Sequence, residues 1–191
     1  MKKISNNNYF RILQPSSLEW NSKLVEWLHK RKFRISGKLI DLGCGQGELV
    51  QLFKKLGYDA KGLDYPEIDL ENPLKLPSNH YNYVICKFVF EHIRNIMPLM
   101  AEINRILKPG GKVVVLTDNS PANWKMFLND PTHITPFTLE RLKNLAKLNN
   151  LNVLECRQWR NIPYIWRYTI KAFDYSFPFS NQIIGIFQKK A

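Results

Sequence analysis

The chain has 191 residues, 45% of them hydrophobic, and its 28 Lys+Arg against 16 Asp+Glu leave a formal charge of +12. That length supports one sizeable core in a single domain, and the positive balance favours phosphate-rich or otherwise anionic partners. Three cysteines, Cys44, Cys86 and Cys156, stand far apart without a C-x-x-C pair, which argues against a disulfide framework and a zinc site and for the reducing cytosol. The stretch MKKISNNNYF has two lysines and no apolar run behind them, unlike a secretory signal. No window approaches the roughly 20 apolar residues of a spanning helix.

In chain order, PSSLEWNSKLVEWLHKRKFR reads as a helix. Ser16 and Glu19 fit a capping box, and Trp20, Leu24, Trp27 and Leu28 share one face. KLIDLG follows as a short buried strand. After it, Leu49, Leu52, Phe53 and Leu56 keep helical spacing until Gly57, a C-terminal stop. YDAKGLD is a second strand ending on Asp64, YNYVICKF is another, and IMPLMAEINRILKPGG is a helix closed by a Pro-Gly-Gly turn. KVVVLTD, the most β-branched run, predicts a central strand. TLERLKNLAKLNN is helical, and NVLECRQW and NQIIGIFQKK are strands. This alternation predicts a doubly wound, parallel α/β sheet, an architecture that binds ligands at the carboxyl ends of its strands.

The stretch LIDLGCGQGELV places Gly43, Gly45 and Gly47 at alternate positions where the first strand turns into a helix. Without side chains there, ligand atoms can approach the backbone amides at the helix N-terminus. A dinucleotide fingerprint, G-x-G-x-x-G, requires its third glycine one residue later. Here Glu48 also follows the last glycine, a carboxylate where a pyrophosphate needs neutral or positive surroundings. Hydride transfer is therefore disfavoured.

LIDLGCGQG, with an acid two residues before its first glycine, resembles the first motif of the class I S-adenosylmethionine-dependent methyltransferases. The resemblance runs through residues 37 to 150 in the family's order. It implies a Rossmann-like, mostly parallel, seven-stranded sheet with helices on both faces and the last strand antiparallel. It also implies S-adenosylmethionine as cofactor, S-adenosylhomocysteine as product and no metal requirement. By the same resemblance Gly43, Cys44, Gly45 and Gly47 would cradle the cofactor and Asp41 would face its ammonium. Asp64, with Tyr65 beside it, would hold the ribose hydroxyls through charge-assisted hydrogen bonds. Asp69 would accept from the adenine amino group with Leu70 beside the ring, and Cys86 to Phe88 would lie near the methionine end.

Methyl transfer to a hydroxyl or amine needs a base. His133, in NDPTHITPFT, is the first candidate, and His92, in the EH pair that should start the helix after the third strand read above, is the second. The absence of an N-P-P-Y-type motif and of a Pro-Cys pair argues against adenine N6 and cytosine C5 methylation of nucleic acid.

The domain reading is one unit over 1–191. Residues 1–36 form an N-terminal helical lid that includes Tyr9 and Phe10, 37–150 the cofactor-binding core, and 151–191 the C-terminal strands with an aromatic insertion. That insertion sets Tyr164, Trp166, Tyr168, Phe173, Tyr175, Phe177 and Phe179 among Arg160, Arg167 and Lys171. Such a mixture stacks on sugars or bases or rests on an anionic membrane surface. The expected acceptor is the oxygen or nitrogen of a small, saccharide or lipid-linked molecule, with peripheral membrane contact in the last case. RNA on the basic surface, or a non-catalytic cofactor-binding role, is the alternative.

Overall fold

The computed structural model describes residues 17–31, 33, 37–122, 124–159 and 182–191. The first helix, α1, spans Ser17–His29. Trp20, Leu24, Trp27 and Leu28 are all buried along it, as their spacing predicts. Ser16 lies outside the described residues. Arg31, just past the helix, spans both carboxylate oxygens of Glu155, with Nη2 at 3.0 Å from Oε1, which fastens this end of α1 to the far side of the sheet.

Strand β1 is Lys38–Leu42, α2 is Glu48–Lys55 and β2 is Asp59–Leu63. Helix α2 stops as expected at Gly57. Its N–H bonds to Lys54 O and the Tyr58 N–H reaches back to Phe53 O, each at 3.0 Å, while Gly57 takes a positive φ of 86°. This is a Schellman closure, which favours glycine at that position. Strand β3 spans Tyr81–Lys87, a 3₁₀ turn spans Phe90–His92, and α3 spans Ile96–Ile106. His92 thus ends a separate turn instead of starting the helix, because Asn95 caps α3 by accepting from Met97 N–H at 3.4 Å.

The expected Pro-Gly-Gly turn is absorbed into a long strand, β4, Leu107–Asp118. Tyr81 pairs with Leu107 but Tyr83 pairs with Lys112, so the extra residues bulge out of the ladder, with Gly110 at a φ of 74°. Helix α4, Trp124–Asn129, has no counterpart in the sequence reading. Helix α5, Leu139–Leu148, begins where Thr138 accepts from Arg141 N–H at 3.0 Å. Strands β5, Leu151–Trp159, and β6, Gln182–Lys189, complete the described fold.

The sheet order is β2-β1-β3-β4-β6-β5, with β2, β1, β3 and β4 parallel and β6 antiparallel to both neighbours. KVVVLTD occupies the interior, as its apolar run predicts, and the last strand is the reversed one. The sheet has six strands among the described residues, where seven were expected. Residues 64–80, which separate β2 from β3, form no strand. Pro66, Pro73 and Pro77 interrupt that segment, and a proline has no N–H to give a ladder. Apolar side chains fill both faces. One cluster sets Leu99, Met100, Ile103, Leu142 and Leu145 against the sheet, and the other sets Trp20, Leu24, Leu28, Leu49 and Phe53 against it. Helices therefore cover both sides.

Candidate active site

Strand β1 has β2 on one side and β3 on the other, so the loops leaving β1 and β3 diverge at the carboxyl edge of the sheet. An open sheet leaves its binding crevice at such a switch point. The glycine loop lies there. Gly43 has a φ of 77°, and a Cβ on it would stand 2.3 Å from Val89 Cγ2. What excludes a side chain at Gly43 is therefore the loop after β3, not a ligand. Gly45 differs, because a Cβ there would meet nothing within 4 Å. Its bare backbone faces open space, as the ligand-approach argument requires.

A cavity of about 340 Å³ opens along this loop, lined by Cys44, Gly45, Gly47, Asp64 and Tyr65 among others. The Asp64 carboxylate receives two backbone donors: Gly45 N–H on Oδ2, and Tyr65 N–H on Oδ1 at 2.7 Å. These bonds orient the acid toward the cavity mouth, where Tyr65 is largely exposed. Asp69 Oδ1 accepts from Glu71 N–H at 3.0 Å, and Leu70 packs against the core. Neither lines the cavity.

Behind the loop, Asp41 is 2% exposed, and its Oδ1 has no hydrogen-bond partner among the described residues. Burial raises its carboxyl to about 7, although the Lys87 cation pulls the other way. Burial likewise lowers the Lys87 ammonium against the attraction of Asp41 and Glu48. Desolvation outweighs the pairing in both partners. Lys87 Nζ donates to Asn21 Oδ1 on α1 at 2.9 Å, so the helix expected to cover the mouth is joined to the end of β3. Phe88 takes a φ of 55° and meets Trp20 of α1 edge-on at 6.2 Å. Cys86 sits wholly inside the core, with no exposed side-chain surface for a ligand.

A second cluster forms where the loops after β3 and β4 meet. His133 lies between two carboxylates, with Nδ1 at 3.6 Å from Asp118 Oδ2 and Nε2 at 3.7 Å from Asp130 Oδ2. Nδ1 is enclosed and has no hydrogen-bond partner among the described residues. The His92 ring lies 4.8 Å away, and its Nδ1 meets Thr132 O at 3.1 Å. A carbonyl can only accept, so this contact places the proton on Nδ1 and the lone pair on Nε2. Burial lowers both imidazoles below their usual range.

Glu91 is 1% exposed and accepts from Thr117 Oγ1 at 2.8 Å, and its carbonyl receives Ile134 N–H and Thr135 N–H at 2.8 and 3.0 Å. Burial pushes its carboxyl up to about 8, and Asp118 to about 6. The loop carrying His133 is thus pinned to the turn carrying His92.

The site falls into two groups at one edge, the glycine loop with Asp41 and Asp64, and the histidine pair with its acids. Asn21, Asp118 and Asp130 are given no role by the sequence reading, which touches Lys87 only within Cys86 to Phe88 and Glu91 only in the EH pair; their partners depend on contacts between distant segments. The donors suit a cofactor with an amino-acid end and a ribose. Asp41 offers an unclaimed, enclosed acceptor, Lys87 is a cation beside it, and Asp64 is a pre-oriented acid.

A methyltransferase domain family model matches residues 16–156. The chain is 29% identical over 140 residues to the ubiquinone biosynthesis O-methyltransferase of Bradyrhizobium sp. (strain ORS 278), covering 62% of the chain and 51% of that protein. It is 29% identical over 109 residues to that of Rhodopseudomonas palustris (strain BisB18), covering 47% and 42%. The chain spans about half the length of these curated relatives. A SAM dependent methyltransferase from Archaeoglobus fulgidus has the same fold, with a TM-score of 0.73 at 19% identity over 91% of the chain and 95% of that structure. The S-adenosylmethionine dependent methyltransferase from Mesorhizobium loti matches at 0.71 and 14% identity, over 91% and 99%. With the family model matched across most of the chain and the glycine loop at the switch point of this sheet, the chain belongs to the methyltransferase domain family and shares the fold of the S-adenosylmethionine-dependent enzymes it resembles.

Proposed function

We propose that this chain transfers a methyl group to a hydroxyl oxygen of a small molecule, with His133 taking the hydroxyl's proton. The observation that carries the reading is the nearly enclosed imidazole of His133, set between Asp118 and Asp130 at the carboxyl edge of β4. The names of the curated relatives, O-methyltransferases, support oxygen as the acceptor atom. The saccharide, lipid-linked and membrane-contact expectations rest on Tyr164 to Phe179, which lie outside the described residues. Among the described residues no helix is long and apolar enough to cross a membrane.

When bound, S-adenosylmethionine supplies an electrophilic methyl group on a sulfonium. The chain's residues hold and shield it. Asp41 and Lys87 face the charged amino-acid end, and Asp64 faces the ribose hydroxyls. Gly43, Cys44, Gly45, Gly47 and Tyr65 form the adjoining wall. Asp69 and Leu70 stand off the cavity, so the adenine role the resemblance gave them has no contact to support it, and the backbone at Cys86 to Phe88 lies by the methionine end. Helix α1, tied down by Asn21 and Trp20, excludes water. Aligning the acceptor oxygen for in-line displacement is worth roughly 7–11 kcal/mol. His133 accepts the proton, Asp118 and Asp130 stabilise the resulting imidazolium, and His92 positions the loop through Thr132.

The test is methyl-labelled cofactor offered with phenols, catechols, sugars and total RNA, with Asp64→Ala as the blank. Alkali-stable, ether-linked label on a small hydroxylated acceptor is expected. Label confined to nitrogen or to RNA would overturn the reading.

Cofactor affinity should also depend on pH through Asp41. A carboxyl raised to about 7 from 3.8 holds its proton more tightly when folded. Its contribution to stability is therefore full below about 3.8 and is lost as pH rises through about 7. The cofactor ammonium prefers the ionised acid. Affinity should accordingly climb between pH 5.5 and 7 (roughly, from the titration window), with proton release on binding. Calorimetry in buffers of different ionisation enthalpy measures that release. A flat profile matching that of Asp41→Asn would remove Asp41 from the cofactor site.

A further inference from the structure

We infer that Glu91, His92 and His133 together bind one first-row divalent transition ion of the zinc, manganese or iron(II) class. Their ligand atoms all lie within 4.8 Å of one another. They come from two segments that backbone bonds already hold together, Ile134 and Thr135 N–H to Glu91 O. Metal–nitrogen and metal–oxygen bonds of about 2.0–2.2 Å require the trio to draw in by about 1 Å.

The chemistry of the trio is specific. Two imidazoles and one carboxylate suit a transition ion that leaves coordination positions open, whereas magnesium and calcium prefer all-oxygen surroundings. The surrounding contacts match those that orient metal ligands. Thr132 O accepts from the His92 Nδ1 side, which leaves the ring's lone pair on Nε2. Thr117 Oγ1 occupies one oxygen of Glu91, leaving the other to the site. Asp118 and Asp130 each face a nitrogen of His133, so whichever nitrogen takes the ion, the other meets a carboxylate.

This inference shares residues with the proposed acceptor site but does not depend on the acceptor's identity. An occupied site changes how the acceptor is activated. A nitrogen bound to the ion cannot take a proton, and a hydroxyl that reaches the ion's open position loses its proton more readily. With an ion bound, His133 would serve as its ligand and the ion would supply the acidifying chemistry; without one, the imidazole is the base.

The test is titration of chelator-stripped full-length protein with Zn²⁺ alone by calorimetry, and with Co²⁺ alone by visible absorption. One equivalent should bind, with d–d bands for cobalt. Losing an outer-shell partner already weakens a metal by about 10–100-fold, so His133→Ala, His92→Ala and Glu91→Gln should each lose at least that much. Glu91→Gln keeps an acceptor for Thr117, and S-adenosylmethionine affinity in all three separates loss of the site from unfolding. His80→Ala, at the opposite edge of the sheet, should keep one equivalent. No uptake, or uptake that survives His133→Ala and Glu91→Gln, overturns the inference. Methyl transfer that continues in chelator alongside absent uptake would sink the ion and leave the proposed reaction standing.

Discussion

His133→Asn should lower kcat by about 10²–10⁴-fold, the usual contribution of a general base, and leave S-adenosylmethionine affinity unchanged. Asparagine keeps a polar group of similar reach in a nearly enclosed space, so packing around Phe127 and His92, 5.3 and 4.8 Å from the ring, changes little. It has no lone-pair nitrogen to accept a proton. Single-turnover assays in chelator isolate the imidazole from any bound ion, and a thermal melt confirms folding. Full turnover with the true acceptor would end the base assignment. An equal loss of cofactor affinity would show that the variant had disturbed the fold instead.

Asp64→Ala carries the second large effect. Two hydrogen bonds from ribose hydroxyls to a carboxylate are lost, at about 1.5–3 kcal/mol or more, which is at least about tenfold in Kd. The same change strips Gly45 N–H and Tyr65 N–H of their acceptor, so the loop loses its inner brace as well. Asp64→Asn separates the two contributions, because its amide oxygen can still accept one backbone N–H without carrying charge. Unchanged calorimetric affinity in the alanine variant would refute the ribose role.

The elements that local pattern could reveal are those whose burial is set within one segment. Trp20, Leu24, Trp27 and Leu28 mark the buried face of α1, Gly57 marks the stop of α2, and the β-branched run of β4 marks the sheet interior. The errors lie where distant chain decides. The Pro-Gly-Gly segment looks like a turn, yet pairing with β3 draws it into β4 around a bulge. The resemblance implied a seventh strand without placing it in this sequence, and the described residues form six. Short α4 has too few periodic positions to be read at all.

The glycine loop divides in the same way. By itself the sequence determined that side chains are absent at Gly43, Gly45 and Gly47, that an acid ends β2, and which family these motifs resemble. A turn, a strand end and a helix start are short-range features, written in consecutive residues. Only the tertiary structure decided that Val89 is what forbids a side chain at Gly43, that Lys87 and Asn21 stand with Asp41, and that Glu91, His92 and His133 meet. Those groups lie up to 66 positions apart in the chain. Parallel strands deliver their loops to one common edge, and the charge, burial and proton affinity of a side chain are set by what it meets there.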